Sequence, residues 1–324
     1  MTIRPGIKEF MWMATGAVIL LVVMLVVLHF HTEQSPVEKL AFKAKRLDLV
    51  ARMRLTLASA SEAEKSAVLA VTDQDSQIFA DQARAATAEV ERERKELGEL
   101  LASGGTQGEK DLLVQFSKAF TDLQHIDNDL LGLAVKNTNI KAYSLAFGPA
   151  ADALKEMDTV LSKLVAKSAG SPESGGNVTL LAFGVQTAAL RIQTLLAPHI
   201  AEESDKKMGE LEALMAKEDQ QVRKDLDGLV LLQKLNGDPD LKVAISDYAR
   251  FSEVRGRILV LSRENTNVRS LAMSLGQKRK VLFQCQDVLS VLQQAIQNEH
   301  IAGVNYESVS NPRSLQVEKS VTGN

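Results

Sequence analysis

The sequence predicts an all-α fold, an N-terminal transmembrane helix followed by two tandem antiparallel four-helix bundles, and three observations carry that reading. Residues 11–30, MWMATGAVILLVVMLVVLHF, contain no charge and match the length at which a helix crosses about 30 Å of hydrocarbon. From residue 36 onward apolar side chains recur at alternating steps of three and four, the spacing that lines one face of a helix. Finally, one stretch is written twice, and a repeat constrains architecture before any single element does. A shift of 128 lays Leu113, Leu131, Leu133, Asn137, Thr138, Asn139, Gly148, Leu154, Val160, Leu161, Ser162 and Leu164 onto Leu241, Leu259, Leu261, Asn265, Thr266, Asn267, Gly276, Leu282, Val288, Leu289, Ser290 and Leu292 without a gap.

Composition agrees with the pattern. Of 324 residues 45% are hydrophobic and only 4% aromatic, with seven prolines, which suits long helices packed on Leu, Val and Ala better than sheets. A net charge of −3 supplies no field for nucleic acid. The single cysteine excludes an intramolecular disulfide and leaves the compartment open.

Taken in order, residues 1–10 read as a cytoplasmic tail and 11–30 as a retained anchor. The apolar run is long for a signal peptide, and the HFHTEQS that closes it has no small-x-small cleavage site. Arg4 and Lys8 precede the run while Lys39, Lys43, Lys45 and Arg46 come after it, so the positive-inside rule does not orient it. His29 and His31 lie at its end without a third metal ligand.

The first bundle spans 36–168. Its opening helix carries Val50, Met53, Leu57, Ala60, Ala67 and Val71 as a stripe, with Arg54 and Glu64 near the seam. The middle of that helix, TLASASEAEKSA from Thr56 to Ala67, is small-residue rich, which lets helices approach closely or leaves space between them. Thr72 to Asp75 offer N-cap types to a second helix striped by Phe79, Ala83, Val90, Leu97, Leu100 and Leu101, and Thr106 with Glu109 has capping-box spacing.

A helical hairpin comes next and is the recurring unit. Leu113, Phe116, Phe120, Leu123, Leu130 and Ala134 precede an Asn-Thr-Asn corner; Ile140, Tyr143, Phe147, Ala150, Leu154, Met157, Leu161 and Leu164 lie beyond it. The corner's side chains can cap the next helix. Residues 169–177 read as a Gly/Ser linker. The second bundle, 178–300, repeats the plan with helices over 178–199 and 203–235, then Asp238-Pro239 opening another hairpin. Its last stripe is Val268, Leu271, Leu275, Lys278, Leu282, Cys285, Leu289 and Leu292, broken only by Lys278. Residues 301–324 lack periodicity and read as a disordered tail.

A membrane helix leading directly into four helices, with Glu109, Phe116, Ala119, Leu130, Leu131, Leu133, Ala134, Asn139, Ala142, Glu156, Leu161 and Leu164 in a loose E…F…A…LL.LA…N…A…E…L..L pattern, resembles the four-helix-bundle sensor domain of methyl-accepting chemotaxis receptors. The resemblance covers 36–168 and, more diverged, 178–298. It implies a bundle outside the cytoplasmic membrane of a bacterium that senses a small molecule or a ligand-loaded protein and passes on a small helix displacement. The chain departs from that family in showing no second apolar span, no HAMP-like segment and no long Glu/Gln/Ala-rich signalling hairpin. The expectation is therefore signal transduction with a partner protein.

No catalytic constellation is visible. The five histidines are scattered, and H-E-x-x-H, a Gly-rich phosphate loop and G-x-S-x-G are all missing, so the sequence predicts no enzyme, cofactor or metal site. Cys285 on an apolar stripe reads as a small hydrophobe. The 128 shift sets Asp127 at the position matching Arg255, and buried charge is costly unless paired. Either the two meet across bundles lying side by side, the duplication standing in for the receptors' homodimer, or they tilt to the seam edge toward solvent or local partners. End-to-end stacking is the other arrangement. The resemblance implies cationic and hydroxyl groups between helices one and four: Arg52, Arg54, Thr56 and Tyr143 in the first bundle, Arg191, Thr194, Arg263 and Asn267 in the second. An arginine fork suits a carboxylate ligand. The competing function is a scaffold that docks a protein partner or oligomerises without any small molecule. Both readings put the chain on a membrane.

Overall fold

A computed structural model describes residues 18–24, 35–170 and 175–301, and every regular element among them is helical. The expectations for residues 1–10, for the linker's centre at 171–174 and for the tail at 302–324 lie outside the described residues, as does most of the apolar run. Of that run Val18–Met24 is described; it is helical and exposes all its side chains.

The helices are α1 (Pro36–Leu69), α2 (Asp73–Gly104), α3 (Gln107–Ala134), α4 (Thr138–Phe147), α5 (Pro149–Ser168), α6 (Gly175–Ala201), α7 (Asp205–Leu231), α8 (Pro239–Glu264), α9 (Thr266–Met273) and α10 (Arg279–Asn298). A 3-10 turn covers Gln233–Leu235 and a π-turn, Ser274–Lys278, joins α9 to α10. Start signals are side-chain caps. Ser35 with Glu38 and Thr106 with Glu109 form complete capping boxes, and Thr72, Ser204 and Asp238 each accept from a first-turn N–H.

Two hydrophobic cores result. One joins Leu49, Met53 and Leu57 of α1, Val90 and Leu97 of α2, Phe116 and Phe120 of α3, and Cys285, Leu289 and Leu292 of α10. The other joins Met157, Leu161 and Leu164 of α5, Val185 and Ile192 of α6, Val222 and Leu229 of α7, and Tyr248, Phe251 and Ile258 of α8. Each buried Leu or Phe contributes roughly 1.5–3 kcal/mol of apolar transfer.

The expected hairpins do not form. α3 packs on α10 and α5 packs on α8, so the two copies have exchanged their fourth helices. The contacts group 36–134 with 266–298, and 138–264 with itself, in place of 36–168 and 178–300. The physical reason the expectation failed is degeneracy of the signal: both copies carry the same apolar spacing, and helical spacing carries no information about which copy a stripe faces.

The corners join the two copies. Asn137 and Asn265 both adopt left-handed backbone, φ 51° and 53°, which asparagine tolerates. Neither caps its own helix. Instead the Thr138 N–H donates to Thr266 Oγ1 (3.2 Å) and the Thr266 N–H to Thr138 Oγ1 (3.1 Å). The Asn139 N–H reaches Asn267 Oδ1 and the Asn267 N–H reaches Asn139 Oδ1, both at 3.1 Å. Asn139 Nδ2 donates to Asn265 Oδ1 and Asn267 Nδ2 to Asn137 Oδ1. The capping that the corner promised is thus supplied, but by the other copy. Around this node sit the α1/α2 corner, where Asn137 Nδ2 meets Asp73 and Ser76, and the α6/α7 corner, where Asn139 and Asn265 donate to the Ile200 and Glu202 carbonyls. The bundles meet end to end here, not side by side.

Opposite this junction, the first bundle closes with charge. Arg46 pairs with Glu109 (2.5 Å) and with Glu299, and Lys43 Nζ donates to the Gln297 and Glu299 carbonyls at 2.7 Å. The start of α1 and the end of α10 are tied together. Against the expectation of no second apolar span, helix α6 is long and apolar enough to cross a membrane by length and composition; one face of it, through Val185, Ala189 and Ile192, lies in the second core, as in the core helix of a bundle. Four expected stripe residues point out instead: Val71, Phe147, Leu271 and Leu275 are exposed. Gly148 interrupts one fourth helix and the π-turn interrupts the other, and each rotates the buried face onto small residues, Thr138, Ala142 and Ala146 or Thr266, Ser270 and Ser274.

Candidate functional site

The most unusual chemistry lies in the first bundle, where α1, α3 and the π-turn meet. A π-turn carries an extra residue per turn and re-aims the side chains beyond it. Here it brings Lys278, the one break in the last stripe, into the core: its side chain is only 2% exposed. Lys278 Nζ stands 2.8 Å from Glu64 Oε2 on α1, itself 1% exposed, and 2.7 Å from Asp127 Oδ1 on α3. The contact to Asp127 is an ion pair without an aligned hydrogen bond. Two carboxylates therefore share one ammonium. Burial pushes the Asp127 carboxyl above the usual carboxylate range, and Glu64 adds to the push; Lys278 opposes it without cancelling it. Glu64 Oε1 is buried and has no hydrogen-bond partner among the described residues.

Glu64 and Lys278 form the floor of a groove of about 440 Å³ between α1 and the fourth helix. Ala58 and Ser61 leave the room, as the small-residue stretch of α1 allows. Ser274, Leu282 and Phe283 line the other side. A second groove, about 510 Å³, occupies the matching seam of the other bundle between α5 and α6. Its lining is related by the same 128 shift: Ala58 and Ser61 correspond to Gln186 and Ala189, Leu282 and Gln286 to Leu154 and Asp158. The floors differ. Where the first bundle has Glu64 and Lys278, the second has Ile192 and Ala150, both fully buried.

The residues expected to hold a ligand are scattered by the helix exchange. Arg52 pairs with Asp48 at 3.1 Å, and Arg54 donates to Gln293 at 2.5 Å. Thr56 lies beside Glu93. Tyr143 belongs to the other bundle and donates weakly to the Ala197 carbonyl (3.4 Å). Arg191 faces Glu218, Thr194 bonds the Arg191 carbonyl, and Arg263 is held by Glu212 at 2.7 Å. Asn267 is part of the junction. Asp127 and Arg255 do not meet: Asp127 faces Lys278, and Arg255 faces Asp219 at 2.9 Å in the other bundle.

Sequence reasoning passed over one further cluster. His199 is fully buried, with Nδ1 2.7 Å from Ser262 Oγ and Nε2 2.9 Å from Glu212 Oε1. Arg263 hydrogen-bonds Glu212 and holds its carboxyl below the usual range. Ser262 has no exposure and its hydroxyl donates to the His199 carbonyl, so the group ties α6 to α8. Among the described residues no cluster of His, Cys, Asp and Glu has the makings of a metal site. No family model matches this chain, and no curated protein matches its sequence.

Proposed function

We propose that this chain is a membrane-anchored sensory module that binds a small molecule in the seam between α1 and the fourth helix of the first bundle and acts with a partner protein. The observation that carries the reading is the inequality of two otherwise matching grooves. The second bundle closes its seam with Ile192 and Ala150, so the fold does not require Glu64 and Lys278. Buried ion pairs are a weak source of stability compared with well-packed apolar residues. A charged floor kept in one copy points to a binding role.

The proposed output rests on connectivity. Occupancy of the groove shifts α10 against α1, and the π-turn supplies a place where helix register can change. The far end of α10 is tied through Glu299 to Arg46 and Lys43 of α1, at the end of the bundle that the apolar run 11–30 precedes. On this reading the run is the anchor, the membrane is the bacterial cytoplasmic membrane, and the bundles lie on its outer side, as the likeness to chemoreceptor sensor bundles suggests.

A thermal-shift screen of the full chain in detergent against organic acids, amino acids, amines and other small metabolites tests the proposal. A ligand that prefers the folded state raises the melting temperature by mass action. The expected hit loses its effect on Glu64→Gln. A flat screen on folded protein transfers the weight to the scaffold reading, which one feature favours: Leu180, Phe183 and Leu190 stand exposed along α6.

A further inference from the structure

We infer that the first bundle's groove takes a primary ammonium group carried on a short apolar tail, with Glu64 Oε1 as its acceptor. This rests on the ligand-binding reading above and names the ligand's chemistry. The carboxylate that the arginines suggested is less well served: Arg54 lines a neighbouring groove of about 680 Å³ between α1 and α10, but it already donates to Gln293 and shares that lining with Asp287, while Arg52, Arg191 and Arg263 each face an acid and are dispersed over both bundles.

The groove floor selects the opposite charge. With both carboxyls ionised, Glu64 and Asp127 bring two negative charges against one positive charge on Lys278, an excess of one negative charge where water is largely excluded. Lys278 engages Glu64 Oε2, so Oε1 remains a buried acceptor without a donor among the described residues. An orphaned buried carboxylate oxygen is costly, and a charged donor answers both the missing hydrogen bond and the excess charge. An ammonium is compact and presents several donors on a point charge, which suits a narrow floor better than a planar guanidinium.

The walls set the rest of the ligand. Leu275, Leu282 and Phe283 line the fourth-helix side and offer apolar contact to an alkyl chain. Cations at the rim do not reverse the selection. Arg279 lies over the Phe283 ring at 5.5 Å, and Lys65 is exposed beside Glu62, where solvent screens charge far more than at the floor.

The second bundle provides a control within the same molecule. Its groove has similar volume and the same position in the fold, but Ile192 replaces Glu64 and Ala150 replaces Lys278. Gln193 Oε1 is a buried acceptor without a partner among the described residues there, but it is neutral and no carboxylate lies at the floor, so the second groove lacks the charge that the ammonium needs and one ammonium per chain is expected rather than two.

Calorimetric titration of the full chain in detergent with n-butylammonium, 1-butanol and butyrate separates the terms, because the three share a tail and differ in head group. The expected result is binding of butylammonium at one site per chain, with butanol and butyrate not detected. Glu64→Gln keeps the shape and removes the charge, and Glu64→Ile installs what the second bundle uses; both leave the Lys278–Asp127 pair in place. Loss of a charged hydrogen bond should weaken butylammonium roughly ten- to hundredfold in either variant. Unchanged affinity in both variants overturns the assignment to Glu64. Binding of butanol or butyrate as tight as that of butylammonium overturns the ammonium class while leaving a ligand-binding groove. Silence from all three probes, with a metabolite hit still present in the thermal screen, also overturns the ammonium class; silence in both experiments overturns the sensory reading itself.

Discussion

Asp127 shows how a single buried group reports on the chemistry of its site. Its carboxyl faces Lys278 from the fourth helix and Glu64 from α1, and burial, the largest influence, raises its pKa. A carboxyl whose folded pKa lies above its unfolded value of about 3.9 favours folding below that value. The contribution is lost as pH rises through the raised pKa. Asp127→Asn removes this titration and leaves Lys278 paired with Glu64. Denaturant unfolding of both proteins at a series of pH values from about 4 upward should therefore show the variant gaining on the wild type as pH increases. A stability difference independent of pH would mean that Asp127 titrates alike in the folded and unfolded chain. Cys285, about two turns beyond Lys278 along the fourth helix, behaves differently. Burial first, then Asp122 and Asp127, push its thiol up to about 12, so it stays an unreactive core side chain, as its place on the stripe suggested.

At the scale of elements, the Asn-Thr-Asn corner matters most, because two short segments 128 residues apart cap each other. Replacing a helix-capping threonine by alanine costs about 1 kcal/mol, up to about 2. Thr138→Ala and Thr266→Ala should each lose that much, since each removes the acceptor for the other copy's first free N–H. The two hydroxyls also lie 3.2 Å apart, so the double variant should depart from additivity by about 0.5 kcal/mol or more. Strict additivity in a double-mutant cycle would mean that the corners act independently. Much of this level was legible in the sequence. The stripes over α1, α2 and α3, the capping box at Thr106 and Glu109 and the proline start of α8 arise from spacing and cap chemistry, which are local. The fourth helices were harder, because a one-residue excess at the π-turn and a break at Gly148 rotate a face without altering composition nearby. The site was half visible. Lys278 stood out as the only polar residue on its stripe and Glu64 stood near a seam, but no local signal joins residues 214 positions apart.

For the molecule as a whole, the exchange of fourth helices turns a sequence duplication into an insertion. Residues 138–264 are contiguous and contain every helix of the second core, whereas the first core needs 36–134 and then 266–298 after the whole insertion has been made. That asymmetry has consequences for independent folding, since a bundle with short corners closes its contacts locally while the other must bring distant segments together. The fragment 138–264 should fold alone as a monomer with a cooperative thermal transition. The fragment 36–168, which the repeat alone would name as the equivalent unit, carries a fourth helix whose native partners α6, α7 and α8 are missing, and its α1, α2 and α3 lack α10. It should be partly helical and non-cooperative, or should pair with a second copy that supplies the missing helix. Circular dichroism melts with sedimentation analysis of both fragments decide this. Should 36–168 melt cooperatively as a monomer about as stable as 138–264, the stripe of α5 would fit α3 as well as it fits α8. The exchange would then depend on the reciprocal bonds of Thr138, Asn139, Thr266 and Asn267 and on nothing in the cores.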